Sequence, residues 1–171
     1  YGAIFDEGFF AWLEDHTTDL LARRDEVIIE AILRSCQHKA NVVARDETEQ
    51  GDRALLNFGH TFGHALETAT EYGSLLHGEA VSIGMLLAAR LSAQLGRSTV
   101  HDSDRLAALL RRLQLPVELP GGHTPAYLLE LMRLDKKSLS GALRLILWRG
   151  IGHAEIVRDI PESKVLAVLR A

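Results

Sequence analysis

Arg53-Ala-Leu-Leu-Asn57-Phe-Gly59-His60-Thr-Phe-Gly63-His64-Ala-Leu-Glu67 spaces its polar residues as a helix would. At about 100° per residue, Arg53, Asn57, His60, His64 and Glu67 share one narrow stripe, while Leu55, Phe58, Phe62 and Leu66 take other faces. The residues beside the stripe are almost all apolar or glycine, with no lysine and no second acid among them. A helix so apolar on most sides is expected to be buried, which turns its polar stripe toward a wet cavity or a ligand. His60 and His64 lie one turn apart, roughly 5–6 Å between Cβ atoms, close enough to reach one small object. Gly59 and Gly63 cost a helix about 1 kcal/mol each relative to alanine, so they are expected to admit a second backbone or a ligand.

Outward from this stretch the pattern stays helical. Downstream, His77-Gly-Glu79 opens the most apolar run of the chain, Ala80 to about Leu95, which Gly96 ends. His77 therefore stands at a helix N-terminus, where free N–H groups and partial positive charge suit an anion. Upstream, Arg24 to Asp46 is a long amphipathic pattern built on Val27, Ile28, Ala31, Ile32, Ser35, Val42 and Val43, with Lys39 close to its apolar face. Asp52 is placed to cap the histidine helix, Thr17 or Thr18 a short helix through Leu21, and Asp102 or Ser103 the helix that Pro116 closes. Thr124-Pro125 starts another helix, to about Leu134, and Pro161 the last one, with Val165, Leu166 and Leu169 inward. Glu71 to Leu76 reads as a loop and Ser138–Gly141 as a turn. Leu143–Trp148 and His153–Val157 are short and rich in branched or aromatic residues, with Gly150 and Gly152 between them, which predicts a hairpin. The expected architecture is mostly α: one helical bundle over residues 1–171 with one small β-hairpin.

Composition narrows the function. With 171 residues, 47% of them hydrophobic and 25% charged, the chain can bury one sizeable core. A net charge of −4, with acids and bases interspersed, argues against a general nucleic-acid surface. No apolar run is long enough to span a bilayer, and no membrane partner is expected. The single cysteine, Cys36, rules out a disulfide framework and is read as a small core residue in a reduced, cytoplasmic setting. The chain opens at Tyr1 directly into structured-looking sequence, which suggests a piece of a longer protein.

Two chemistries fit the residues. Two imidazoles at i and i+4 with a ligand from elsewhere can hold zinc, and spacing alone pairs His60 with His64; finger and H-E-x-x-H spacings are absent. Arg53, Asn57, Lys39 and the Lys136-Lys137 pair are donors of the kind that hold phosphate or carboxylate. For each alone the plainer account is solvated charge, and Arg53 and Asn57 escape it best because they share the histidine stripe. No P-loop or G-x-G-x-x-G is present. His16, His38, His101, His123 and His153 are assigned nothing.

Together, the Arg53–Glu67 stretch, Leu76-His77-Gly-Glu-Ala-Val-Ser-Ile-Gly-Met85, the upstream His38-Lys39-Ala-Asn-Val-Val-Ala-Arg-Asp-Glu47, the later Leu134-Asp-Lys-Lys137 and the opening Tyr1-Gly…Phe10-x-Trp-Leu-Glu14 resemble the 3-dehydroquinate synthase family. The resemblance covers essentially the whole chain, and is to the C-terminal, mostly helical half of those enzymes. It implies a two-domain, homodimeric metalloenzyme, a phosphate-eliminating carbon–oxygen lyase of the shikimate pathway and so of aromatic amino-acid biosynthesis. Such enzymes convert 3-deoxy-D-arabino-heptulosonate 7-phosphate to 3-dehydroquinate and phosphate. An N-terminal α/β domain binds NAD, and the helical half supplies groups for zinc (or cobalt) and for the anionic sugar-phosphate substrate. By resemblance His60 and His77 are the metal ligands, in place of the His60/His64 pair that spacing suggests. His64 contacts substrate and handles protons with Lys39. Lys39, Arg53, Asn57 and one of Lys136 and Lys137 bind substrate. The family's third ligand, a glutamate in a Glu-Val-Ile-Lys run, precedes the residue matching Tyr1. The chain is therefore expected to lack that ligand and the NAD domain, and to be inactive alone.

Three other readings compete. A related sugar-phosphate cyclase or a metal-dependent polyol dehydrogenase would carry a different set of polar residues on the stripe. His101-Asp102 prompts a His-Asp phosphohydrolase, but an aspartate there also suits a helix cap. A non-catalytic helical scaffold would leave His60, His64 and Arg53 pointing to unrelated places.

Overall fold

The computed structural model describes residues 1–47, 51–70, 75–134 and 143–170. The chain order is α1 (Gly2–Phe5), α2 (Glu7–Asp15), α3 (Thr17–Leu21), α4 (Asp25–Arg45), a 3-10 helix (Asp52–Asn57), α5 (His60–Ala69), α6 (His77–Gln94), α7 (Val100–Arg112), α8 (Pro125–Leu134), β1 (Leu145–Trp148), β2 (Ala154–Val157) and α9 (Glu162–Val168). The expected bundle with one hairpin is what forms. The predicted turn at 138–141 and most of the predicted loop at 71–76 lie outside the described residues.

Helix α6 is the axis of the fold. Ala80, Ile83, Leu86, Leu87, Ala88, Ala89 and Leu91 are buried on all its sides, as an all-round apolar helix must be. Helices α5, α7 and α9 and strand β1 pack around it, and α8 packs on α5. The β strands pair antiparallel, with Leu145 opposite Val157 and Trp148 opposite Ala154. Their turn is tied to the N-terminus, where Gly152 N donates to the Ala3 carbonyl at 3.0 Å. A Cβ on Gly152 would fall 2.7 Å from Glu7 N, so only glycine lets the hairpin approach the start of α2 this closely. Among the described residues, no helix is long and apolar enough to cross a membrane.

Several local expectations give way to better-placed partners. Asp52 does not cap the histidine helix; it begins the 3-10 turn, and the Asp46 carboxylate accepts from Gly51 N (2.8 Å) and Arg53 N (2.9 Å) instead. Helix α7 starts earlier than predicted, at a capping box in which Thr99 Oγ1 accepts from Asp102 N and the Asp102 carboxylate accepts from Thr99 N. That box gives Asp102 a structural occupation and removes the ground for a His-Asp phosphohydrolase. His16, rather than Thr17 or Thr18, is the N-cap residue of α3, and Thr17 is buried against Arg112.

Helix α4 departs most from its pattern. Only Val42 of this helix is buried, and Ile29, Ile32 and Leu33 are 63%, 57% and 60% exposed. Cys36 lies on the same exposed stripe rather than in the core. The helix touches the rest chiefly through the 3-10 segment and α3.

Candidate metal and substrate site

The site grows from the contact between α5 and α6. The Arg53–Glu67 stretch is not one helix. A 3-10 segment ends at Asn57, Phe58 is extended (φ −54°, ψ 123°), and Gly59 takes φ +81°, so that α5 begins at His60. The break reflects a close crossing: a Cβ on Gly84 of α6 would stand 2.1 Å from the Gly59 carbonyl oxygen, and one on Gly59 would stand 2.5 Å from Met85 N. Gly63 faces the backbone of Ala80 and Val81 in the same way. The two glycines expected to admit a second backbone do so, with Gly84 as their counterpart. The hairpin supports the break from behind, as Trp148 stacks on Phe58 with ring centroids 5.3 Å apart.

At the open end of this crossing three imidazoles meet. His60 lies 5.7 Å from His64 and 5.5 Å from His77 between ring centroids, and His64 lies 6.0 Å from His77. His60 and His64 are half-buried, and His77, the first residue of α6, is exposed. The Glu79 carboxylate reaches back to Leu76 N at 2.8 Å and so fixes where α6 starts. The Glu67 carboxylate faces the same cluster, with His77 Nδ1 at 3.1 and 3.2 Å from its two oxygens.

This donor set suits a divalent ion that takes nitrogen and oxygen ligands, such as zinc or cobalt. Among the described residues, donor atoms of His64, Glu67 and His77 lie within 4.8 Å of one another, and the His60 ring adjoins two of them. Two donors on one tetrahedral zinc are about 3.3 Å apart, somewhat closer than the 4.8 Å within which the His64, Glu67 and His77 donors lie.

The anion-binding candidates come from other elements than α5 and α6. Arg53 sits in the 3-10 segment, and its guanidinium donates to the Glu47 carbonyl at 2.8 Å. Asn57 Nδ2 donates to the Ala54 carbonyl at 3.1 Å. Because the helix breaks at Phe58-Gly59, these two do not continue the histidine stripe as one α-helical face. Lys39 is exposed on α4, next to His38, whose Nε2 lies 3.0 Å from the Asp6 carboxylate. The hydrogen bonds from Phe9 N and from His38 hold the Asp6 carboxyl below its usual pKa. Lys136 and Lys137 lie outside the described residues.

Glu67 lies on the predicted polar stripe, where sequence alone assigns it no role. Its position three residues after His64 was the available signal, since that spacing puts both side chains on one face of α5.

The chain is 56% identical to the 3-dehydroquinate synthase of Xanthomonas axonopodis pv. citri and 54% identical to that of Xylella fastidiosa (strain M23). Each alignment covers 99% of this chain and 47% of the relative, so the chain spans about half the length of the curated proteins it matches. Among solved structures, it superposes on 2-epi-5-epi-valiolone synthase of Streptomyces hygroscopicus subsp. jinggangensis 5008, described with NAD+ and Zn2+ bound. The TM-score is 0.86 at 28% identity, covering 99% of this chain and 47% of that one. It also superposes on a 2-deoxy-scyllo-inosose synthase complexed with carbaglucose-6-phosphate, NAD+ and Co2+, with TM-score 0.71 at 26% identity, covering 82% and 40%. A family model described as 3-dehydroquinate synthase C-terminal matches residues 1–138, and the chain belongs to that family.

Proposed function

We propose that this chain is the metal- and substrate-binding half of a 3-dehydroquinate synthase. It would work with an N-terminal NAD-binding α/β domain to turn 3-deoxy-D-arabino-heptulosonate 7-phosphate into 3-dehydroquinate and phosphate. The observation that carries the reading is the convergence of His60, His64 and His77, from two helices, at one solvent-open end of the α5–α6 crossing. A scaffold has no need to gather three imidazoles and an acid there. The identity of 56% to a named 3-dehydroquinate synthase, against 28% and 26% to the two cyclases of other products, favours this substrate over theirs.

In this reading His60 and His77 hold zinc or cobalt. When bound, the metal supplies Lewis acidity at the substrate hydroxyls and NAD supplies a reversible hydride acceptor. His64, beside both ligands, contacts substrate and carries protons. Arg53, Asn57 and Lys39, with a lysine of Lys136-Lys137, take the carboxylate, hydroxyls and phosphate. Cationic donors there stabilise phosphate oxygens as they gain charge on leaving. Holding the substrate's reacting ends close is the remaining task for the ring closure. The reading places the enzyme in the cytoplasm, as a homodimer, in the shikimate pathway of aromatic amino-acid synthesis.

The test is phosphate release from the heptulosonate phosphate with NAD and zinc. The two-domain protein is expected to turn over and the 171-residue chain alone to be inactive. His60→Ala and His77→Ala in the two-domain protein are expected to lose nearly all activity while keeping their helical content. Full activity in both variants would overturn the reading, and turnover by the isolated chain would overturn the need for the second domain.

A further inference from the structure

We infer that Glu67 is a positioning residue for His77: its carboxylate holds the ring by Nδ1–H and so leaves Nε2 as the nitrogen that can bind metal. The inference rests on the proposed metal site and adds to it a residue outside the expected ligand and substrate set.

The two residues need each other for opposite reasons. His77 is the first residue of α6, and with its side chain 57% exposed, burial does little to hold the ring in one rotamer. Glu67 lies in the last turn of α5 with its side chain only 13% exposed, which makes it the fixed partner. Both of its oxygens point at the same ring nitrogen, at 3.1 and 3.2 Å. An ionised carboxylate can only accept, so Nδ1 must carry the proton, and in the neutral ring Nε2 then carries the lone pair. Which nitrogen of a histidine is metallated is set by the bond the other one makes, and a carboxylate in that place fixes ring orientation and raises ligand basicity.

Glu67 could instead be a ligand itself, since its oxygens belong to the same donor group as His64 and His77. The double approach to Nδ1 argues otherwise, because both oxygens are engaged by the ring. The bond also joins α5 to α6 at the mouth of the site, where the glycine contacts that lock the two helices farther along are absent.

The experiment compares the parent protein with Glu67→Gln and Glu67→Ala in the two-domain form, after circular dichroism shows each variant folded. Cobalt affinity and the visible cobalt spectrum are read together with ring-nitrogen NMR of His77 in the metal-free protein, at a pH above the ordinary imidazole range. The parent is expected to show the Nδ1–H tautomer. Glu67→Ala is expected to lose that preference and about 10–100-fold in cobalt affinity with an unchanged spectrum, as loss of an outer-shell partner does. Glu67→Gln, whose amide oxygen still accepts from Nδ1, is expected to recover most of both. A changed cobalt spectrum in both variants would make Glu67 a ligand and overturn the inference. So would an unchanged tautomer and affinity in Glu67→Ala. If the parent itself binds no cobalt, the metal reading of the site fails and the metal role of Glu67 falls with it. The metal-free NMR would then still report separately whether Glu67 sets the tautomer.

Discussion

The carbonyl oxygen of Gly59 lies where a side chain on Gly84 would begin, 2.1 Å from an ideal Cβ at that position. This contact holds α5 against α6 and sets the spacing at which His60 and His77 face each other. Replacing Gly84 with alanine forces backbone away from backbone, which no rotamer change can relieve. Gly84→Ala is expected to cost about 3 kcal/mol, the upper end for overpacking a tight core. Urea denaturation measures the loss, and a variant within about 0.5 kcal/mol of the parent would show that the crossing can breathe. Metal affinity should fall with it, because the imidazoles move apart with the helices.

Asp6 gives the fold a defined acid sensitivity. It is the N-cap of α2, accepting from Phe9 N at 2.8 Å, and it meets His38 of α4 at 3.0 Å. Its carboxyl titrates below the usual value near 3.8, chiefly because of the Phe9 hydrogen bond and then the one from His38. The folded pKa is depressed, so this contribution is fully present above the unfolded value and is lost as pH falls through the folded one. Asp6→Ala is expected to destabilise the chain by about 0.5–2 kcal/mol near neutral pH. The gap between the two proteins should narrow below about pH 4 in denaturation curves taken across pH. A gap that stays constant down to the acid transition would mean that the carboxylate charge does nothing here.

Metal binding at the histidine cluster should be visible as stability. A ligand at a hundred times its Kd that binds only the folded state adds about 2.7 kcal/mol. For a chain of this size that raises Tm by about 5–10 °C. Zinc added to the purified protein is expected to produce such a rise and a chelator to reverse it, by scanning calorimetry. His77→Ala should abolish most of the rise without lowering the metal-free Tm by much, because His77 is exposed and contributes little to the core. An equal rise in that variant would place the zinc elsewhere.

How much of this could be read in advance depends on which forces were local. The burial of α6 follows from its apolar run, and the hairpin from branched strands flanking Gly150 and Gly152, because both patterns are carried by neighbouring residues. The His60/His64 pair was legible for the same reason, whereas His77 joined it only through the family resemblance. Periodicity extended the pair's helix back to Arg53. What breaks it is Gly84, twenty-five positions after Gly59, whose closeness no spacing reveals. On α4 the pattern put Ile32 on the apolar face with Val27, Ile28, Ala31 and Val42, yet Ile32 is exposed, because an amphipathic pattern does not say how much of a face the chain covers. The Glu67–His77 contact spans two helices, and the stripe could mark the acid but not its partner.

Ser92 joins the last turns of α6 to the hairpin and so supports the site from a distance. It is fully buried, donates to the Ala88 carbonyl at 2.7 Å and accepts from Trp148 N at 2.8 Å. Trp148 in turn stacks on Phe58, the residue before the Gly59 break. Alanine at position 92 fills nearly the same space but leaves the Trp148 N–H buried without its acceptor, which costs about 1–3 kcal/mol. Ser92→Ala is therefore expected to lower stability by that amount in urea denaturation. Cysteine, a poor acceptor of similar size, should behave like alanine rather than serine, since the missing acceptor and not the missing volume is the cause. If Ser92→Cys matched the parent while Ser92→Ala did not, packing would be the explanation and the hydrogen bond to Trp148 would be incidental.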